Sequence, residues 1–273
     1  GNAVWVNRVF ARADVKVLTG QIGTISLGFS GGRKSVLPAV AGRDTIYFNH
    51  RHAWIKQANF GNIDQNVMHD DALEAAHLAQ VDFIVNVVLN LKLQIIKAVA
   101  GDLVLAWMEG VKFARKHYTV PVTQRPEIVI SSAGGSPADD TVYQSLKAYQ
   151  QSYLIMQRGG CVILVADCKD GVGDKELDHF LRMDSAEFLQ RVEAGERVHF
   201  MADILHSGRE KAAEIFLKSS LPPELVREFG FVPVATVEEA IEKALAIHGA
   251  DAKILCLPKG AYVAPVLQNG EQG

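Results

Sequence analysis

Residues 127–167 read EIVISSAGGSPADDTVYQSLKAYQQSYLIMQRGGCVILVAD, and this stretch decides the fold class. The apolar runs at 127–131 and 160–167 are rich in β-branched residues and predict strands, while residues 141–156 between them predict a helix. A strand, a long helix and a second strand form a right-handed crossover between parallel neighbours. The stretch therefore predicts a parallel sheet and an α/β fold.

Strands and helices alternate on both sides of this stretch. Upstream, residues 15–18 and 81–90 predict strands, and VDFIVNVVLN at 81–90 is typical of a strand covered on both faces. Downstream, residues 209–218 and 237–247 predict helices, and residues 252–257 predict the last strand. The whole chain therefore has the pattern of an α/β protein.

A segment that contains two prolines divides the chain. Pro121 and Pro126 interrupt all periodicity between residues 118 and 126. We therefore predict two domains, 1–118 and 119–273, each with a mostly parallel sheet flanked by helices.

Composition narrows the classes of partner. Hydrophobic residues make up 48% of the 273 residues, which is enough for a core, and the formal net charge is −3 at pH 7. The sequence has no sustained basic face and no apolar run that could span a bilayer, so neither nucleic acid nor a membrane is expected as a partner. This charge balance points to small molecules as partners. Three widely spaced cysteines suit a reducing compartment, which predicts a cytoplasmic protein.

A glycine-rich loop before a lysine is the first candidate site. Residues 28–35 read GFSGGRKS, and glycines ahead of a helix start allow the backbone to approach an anion. Arg33 separates Gly32 from Lys34, so the loop misses the P-loop pattern by one residue. Taken alone, the loop is interpreted as a glycine-rich turn with a solvated lysine, and a nucleotide-hydrolysing P-loop enzyme is a less favoured alternative.

Two histidines follow the next apolar segment. Residues 45–48 (TIYF) are interpreted as strand-like, and His50 comes at the mouth of that strand, where a neutral imidazole is a common ligand for nickel, zinc or copper. A lone histidine is more often a hydrogen-bonded surface or core residue, and His52 receives that interpretation. His50 is kept as a candidate metal ligand.

A polar helix face after a strand end is the next candidate site. SSAGGSP at 131–137 follows a predicted strand and precedes Tyr143, Gln144 and Lys147. Tyr143 and Lys147 are four residues apart on a predicted helix, so a phenol, an amide and a cation can converge on a carboxylate or a phosphate. The alternative interpretation is a solvated helix face.

Six segments together resemble the nickel-dependent lactate racemase family in their order and approximate spacing. They are GFSGGRKSVLPAVAG (28–42), TIYFNH (45–50), DFIVNVVLN (82–90), AVAGD (98–102), SSAGGSP (131–137) and YQSLK (143–147). The resemblance extends from about residue 13 to about residue 174. It implies an isomerase that racemises or epimerises lactate or a related 2-hydroxy acid.

The resemblance implies a cofactor and assigns residues to it. Lys34 matches the residue that is covalently linked to a nickel pincer nucleotide, a pyridinium dithiocarboxylate-type mononucleotide derived from nicotinic acid. Ser30, Gly31 and Gly32 fall in the same cofactor-binding loop, and His50 matches the histidine that completes the coordination of nickel. Enzymes that mature this cofactor are implied as partners.

The resemblance also implies a reaction. Tyr143, Gln144 and Lys147 match the family's YQxxK segment, where the lysine and its neighbours contact substrate or cofactor, and these are the predicted catalytic residues. In that family the 2-hydroxy acid is oxidised transiently to a 2-keto acid by hydride transfer to the pyridinium ring. Return of the hydride to either face racemises the carbon.

Two features depart from the family pattern. The family's front segment, with one catalytic histidine, is expected before Gly1, and the chain starts without methionine. Thr24 stands where the second catalytic histidine is expected, and threonine cannot act as a base near neutral pH. Either another group transfers the proton, the substrate differs, or racemase chemistry is lost.

The alternative function is a non-catalytic binding protein for a phosphate- or carboxylate-bearing small molecule on the same fold.

Overall fold

The computed structural model describes residues 1–25, 27–51 and 61–268. The chain divides into two compact units, Gly1–Thr119 and Val120–Gly273. The interpretation given to His52 lies outside the described residues. Among the described helices, none combines the length and the apolar character needed to cross a bilayer.

The first unit contains a small mixed sheet with helices. Strand β4 pairs in parallel with β1 and in antiparallel with β5, which follows it through a short turn. The described elements are α1 (Arg8–Ala11), β1 (Val17–Gln21), β2 (Thr24–Ile25), β3 (Gly28–Phe29), a 3₁₀ helix (Gly32–Ser35), α2 (Arg43–Asn49), α3 (Val67–Leu78), β4 (Phe83–Leu89), β5 (Ile95–Gly101) and α4 (Leu105–Tyr118).

Strand β4 lies where the sequence predicts a strand, but its environment differs from the prediction. Ile84 and Val88 are buried, whereas Phe83 and Val85 on the opposite face are exposed. Helix α4 covers the buried face and brings Trp107 into the same core. The expectation of a strand covered on both faces is therefore wrong, because an apolar run alone does not show how many layers pack on a sheet.

The second unit contains a parallel sheet of five strands in the order β10-β9-β8-β7-β11. This arrangement confirms the predicted α/β class. The elements of the unit are β6 (Thr119–Val122), β7 (Ile128–Ser132), α5 (Val142–Ile155), β8 (Gly160–Val165), α6 (Lys175–Leu181), α7 (Ser185–Glu193), α8 (Phe200–Arg209), β9 (Ala212–Lys218), α9 (Pro223–Glu228), β10 (Val232–Pro233), α10 (Val237–His248), β11 (Ile254–Leu257), a second 3₁₀ helix (Gly260–Tyr262) and β12 (Ala264–Leu267).

Helices cover both faces of this sheet. Val162 and Leu164 of β8 belong to one core, which includes α5 and α8, and Cys161 and Ile163 belong to the core beneath α10. Successive residues of a strand point to opposite faces, so the nearly continuous apolar run of β8 is explained by burial on both sides.

Three elements differ from the sequence-based predictions. Residues 212–218 form strand β9 rather than the end of a helix. Most residues of this segment favour a helix, but the sheet buries Ile215 and Phe216 on its opposite faces. Strand β11 is not the last, because β12 follows and pairs with β6. Residues 45–48 lie within helix α2 and not in a strand.

Candidate functional site

The loop before Lys34 is held by its own hydrogen bonds. The Ser30 hydroxyl accepts from the Gly23 amide and donates to the Gln21 carbonyl, both at 2.9 Å. The Gly32 amide donates to the buried Asn86 Oδ1 at 2.7 Å. The helix expected after this loop is a four-residue 3₁₀ helix. Because these groups are already bonded and the helix is short, the geometry does not match a phosphate-binding P-loop.

Gly31 and Gly32 are required by the packing of the loop. Both have positive φ angles, +76° and +53°. A Cβ atom on Gly31 would lie 2.8 Å from Ile22 Cγ1, and one on Gly32 would lie 2.8 Å from Trp107 Cδ1. Close internal packing therefore explains both glycines, and the cofactor contacts predicted for Ser30, Gly31 and Gly32 stay predictions.

Lys34 lies beside a buried cation. The side chain of Arg33 is 2% exposed, and its guanidinium carbon lies 4.2 Å from the centre of the Trp107 ring. Trp107 stacks on His69 with 5.0 Å between ring centroids. Burial lowers the pKa of Arg33 to about 9, and burial together with the charge of Arg33 lowers the pKa of Lys34 to about 7. Lys34 as a whole residue is half-buried.

His50 follows the last residue of α2 and is held by that helix. Its Nδ1 lies 3.1 Å from the carbonyl oxygen of Ile46. A carbonyl oxygen only accepts, so Nδ1 carries the proton and the neutral ring has its lone pair on Nε2, as in many metal-ligating histidines. Within the described part of the chain, no group of three or more His, Cys, Asp and Glu side chains is placed to hold a metal.

Thr24 lies in the short hairpin of β2 and β3, opposite Phe29. Its hydroxyl is buried and has no hydrogen-bond partner among the described residues. A buried hydroxyl cannot replace the expected histidine as a base.

In the second unit, the candidate residues lie at the start of α5. Thr141 caps this helix, and the amides of Val142 and Tyr143 donate to the carbonyls of Gly171 and Val172, each at 3.0 Å. Because these amides are bonded within the protein, recognition of an anion here depends on side chains rather than on the helix N-terminus.

The structure brings Tyr143, Gln144 and Lys147 together on one half-buried face of α5. Lys147 Nζ donates to Gln144 Oε1 at 2.5 Å. Burial lowers the pKa of Lys147, and burial together with the charge of Asp174 raises the pKa of Tyr143. The phenol is therefore a hydrogen-bond donor, and the catalytic roles of the three residues stay predictions.

His199 belongs to the same cluster and was not found from the sequence. Its ring lies edge-on to Tyr143 with centroids 5.8 Å apart, and its Nε2 is 3.9 Å from Asp174 Oδ1. Its Nδ1 accepts from the Met201 amide, so His199 also caps α8. Burial lowers its pKa, and the charges of Asp174 and Glu176 oppose that shift. No local motif marks His199, because only the fold places it beside Tyr143.

We expect Asn86→Ala to lower the free energy of unfolding by about 1–3 kcal/mol, because the buried amide of Gly32 would lose its acceptor. Urea unfolding followed by circular dichroism measures this loss. The control is Thr19→Ala on the exposed side of β1, which should change stability by no more than about 0.5 kcal/mol. Equal losses in the two variants would contradict the role given to Asn86.

Known families match most of this chain. A sequence model of the lactate racemase C-terminal domain matches residues 122–264, more than half of the chain, and one of the lactate racemase N-terminal domain matches residues 1–61. The lactate racemase of Lactiplantibacillus plantarum is 35% identical over 268 residues, which cover 94% of this chain and 63% of that relative. That of Thermoanaerobacterium thermosaccharolyticum is 31% identical over 273 residues, 96% of this chain and 64% of that relative.

Solved structures agree with these matches. The lactate racemase apoprotein from Thermoanaerobacterium thermosaccharolyticum superposes with a TM-score of 0.91 at 30% identity, covering 96% of this chain and 65% of that chain. A protein from Thermotoga maritima superposes with a TM-score of 0.71 at 16% identity, covering 96% of this chain and 69% of that chain. At this identity the match shows a common fold and nothing more. The chain spans less than two thirds of the length of the lactate racemases that it matches. The resemblance predicted from the six segments is confirmed, and the chain belongs to the lactate racemase family.

Proposed function

We propose that this chain acts in the racemisation of lactate or a related 2-hydroxy acid, with a nickel pincer nucleotide anchored on Lys34. The observation that carries the proposal is the amine of Lys34, whose pKa is lowered to about 7 by burial and by the charge of Arg33, in a chain of the lactate racemase family. Such an amine is suited to a covalent bond with a cofactor, because the uncharged form of lysine is the nucleophile.

The residues around Lys34 and His50 fit a polar cofactor. Three buried polar atoms in the first unit have no hydrogen-bond partner among the described residues: Thr24 Oγ1, Arg33 Nε and His69 Nδ1. Buried polar groups are normally hydrogen-bonded, and a polar cofactor bound beside this loop would offer partners to these atoms. An imidazole nitrogen of His50 suits nickel, and the pincer would supply further donors.

In the proposed reaction, the chain holds and orients the reacting groups. Lys34 would hold the cofactor, which when bound supplies a hydride acceptor, and His50 would ligate its nickel. Lys147 would bind the substrate carboxylate, and the oxygen of Gln144 would keep the ammonium group of Lys147 in place. Tyr143 would donate a hydrogen bond to an oxygen of the substrate or the cofactor.

A second function is favoured by Thr24. Its buried hydroxyl occupies the position where the family has a catalytic histidine, so this chain can instead belong to a non-catalytic protein that binds a phosphate- or carboxylate-bearing molecule. Such a protein would be stabilised against heat by 2-hydroxy acids and would not convert one enantiomer into the other.

Co-expression with cofactor-maturation enzymes of a lactate racemase, which we propose as partners, tests the first function. Intact-mass and peptide mass spectrometry should find an adduct on Lys34, and elemental analysis should find about one nickel ion per chain. Chiral chromatography should then detect D-lactate formed from L-lactate. A protein without the adduct and without nickel would refute the proposal, and thermal stabilisation without turnover would favour the second function.

We also propose that the protein resides in the cytoplasm. Cys161, Cys168 and Cys256 are free thiols, and burial raises the pKa values of the first two to about 11. Unpaired cysteines are typical of a reducing compartment, and fractionation with antibody detection would locate the protein.

A further inference from the structure

We propose that His199 is a positioning residue: its ring holds the phenol of Tyr143 in the orientation from which Tyr143 donates a hydrogen bond to an oxygen of the 2-hydroxy acid or its cofactor. This inference deepens the proposed function and rests on it, because the hydrogen bond from Tyr143 is part of that function. It gives a role to a histidine that stands far from Tyr143 in the sequence.

Two rings from the start of α8 pack edge-on against the ring of Tyr143. The centroid of the His199 ring lies 5.8 Å away with an angle of 78° between the planes, and that of Phe200 lies 6.2 Å away with an angle of 87°. Edge-to-face contacts at such distances are favourable for aromatic rings. Together they limit the directions in which the Tyr143 ring can turn.

The ring of His199 is held independently of Tyr143. His199 is 8% exposed, and its Nδ1 accepts a hydrogen bond from the amide of Met201 at 3.2 Å. Its ring also stacks on that of Phe200, with 5.3 Å between the centroids and 17° between the planes. The start of α8 therefore sets the orientation of the His199 ring, which acts as a fixed surface for Tyr143.

The hydrogen bond from Met201 also excludes another role for His199. Because an amide N–H only donates, Nδ1 of His199 carries no proton, and in the neutral ring the proton is on Nε2. Nε2 lies 3.9 Å from Oδ1 of Asp174, which is longer than a hydrogen bond. A neutral ring in this state offers no free lone pair, so His199 does not replace the histidine expected at Thr24 as a base.

Capping of α8 by itself does not require an imidazole. Asparagine, aspartate, serine and threonine are the preferred N-cap residues. Helices α5, α6 and α7 follow this preference, with Thr141, Asp174 and Asp184 at their caps. A histidine at the cap of α8 supplies a ring that these residues lack, and the ring is the part that contacts Tyr143.

Lys147 and Tyr143 have separate tasks in the proposed reaction. Lys147 binds the substrate carboxylate, and its Nζ donates to Gln144 Oε1 at 2.5 Å, a contact in which His199 takes no part. Without the ring of His199, Tyr143 can turn away from the orientation in which it donates, and a misplaced group at a reacting centre lowers the rate. The loss is therefore expected in kcat rather than in KM.

Two variants separate the ring of His199 from its capping function. His199→Asn removes the ring and keeps a side chain that caps α8, whereas His199→Phe keeps a ring and loses the cap. In the cofactor-loaded protein, His199→Asn should lower kcat by about tenfold or more and leave KM within about twofold. His199→Phe should keep most of kcat although its thermal midpoint falls. In a Tyr143→Phe background, His199→Asn should cause no further loss, because both changes remove the same interaction.

A readout without turnover uses the cofactor-free protein labelled with meta-fluorotyrosine. The chain has six tyrosines, and the fluorine NMR signal of Tyr143 is identified by its loss in Tyr143→Phe. The neighbouring rings displace this signal from the position of a freely turning tyrosine. His199→Asn should move it toward that position, and His199→Phe should leave it displaced. His199→Ser, which also caps helices, replaces His199→Asn if the latter does not fold.

An unchanged fluorine signal of Tyr143 in His199→Asn would overturn the inference. A further loss of kcat in the Tyr143→Phe background would also overturn it, because His199 would then act through another group. A protein that forms no adduct on Lys34 and does not racemise lactate refutes the proposed function, and the fluorine signals still decide whether His199 holds the ring of Tyr143.

Discussion

We expect Lys34→Met to abolish the covalent adduct and to lower the rate of racemisation by at least about a thousandfold, because Lys34 is the proposed anchor. A cofactor that is not covalently held loses the high effective concentration and the orientation that the bond provides. The measurement compares adduct mass, nickel content and the rate of D-lactate formation in wild type and variant, both co-expressed with the maturation enzymes. Lys112→Met, at an exposed position in the same unit, is the control and should match wild type.

His50→Ala separates anchoring from metal binding in the same experiment. It should keep the adduct on Lys34 and lose most of the nickel, because the bond to Lys34 does not require the imidazole. If Lys34→Met retains the adduct mass, another residue is the anchor, and the assignment of Lys34 is wrong.

The second large effect is expected on stability. Trp107→Ala should lower the free energy of unfolding of the first unit by about 3–5 kcal/mol, because Trp107 is 2% exposed and packs in the core of that unit. The variant also removes the ring beneath Arg33 and the donor to the Ser30 carbonyl. Hydrogen exchange of the β4 amides, resolved by mass spectrometry, reports the free energy of this unit separately from the rest of the chain.

Met108→Ala is the matched control for Trp107→Ala. Met108 is the next residue on α4 and is 42% exposed, so its loss should change stability by no more than about 0.5 kcal/mol. A change below about 1 kcal/mol in Trp107→Ala would show that the core of the first unit does not depend on this ring.

Part of the candidate site could be predicted from local sequence. Lys34 and His50 were identified by their order within the six family segments, and helical spacing predicted the shared face of Tyr143 and Lys147. The surroundings could not be predicted in this way. Trp107 donates a hydrogen bond to the carbonyl of Ser30, which lies 77 residues earlier in the sequence. His199, at the start of α8, packs its ring edge-on against Tyr143. Distant contacts of this kind leave no periodic signal in the sequence.

The sequence by itself determined the α/β class, strands β7 and β8, and helix α5, because β-branched runs and helical periodicity are local properties that burial reinforces. Tertiary structure alone decided that residues 212–218 form a strand, since this strand lies inside the parallel sheet between β8 and β10. It alone decided that β4 has one open face. It also decided the state of Lys34, because a pKa of about 7 requires the desolvation and the neighbouring charge that only the folded loop provides.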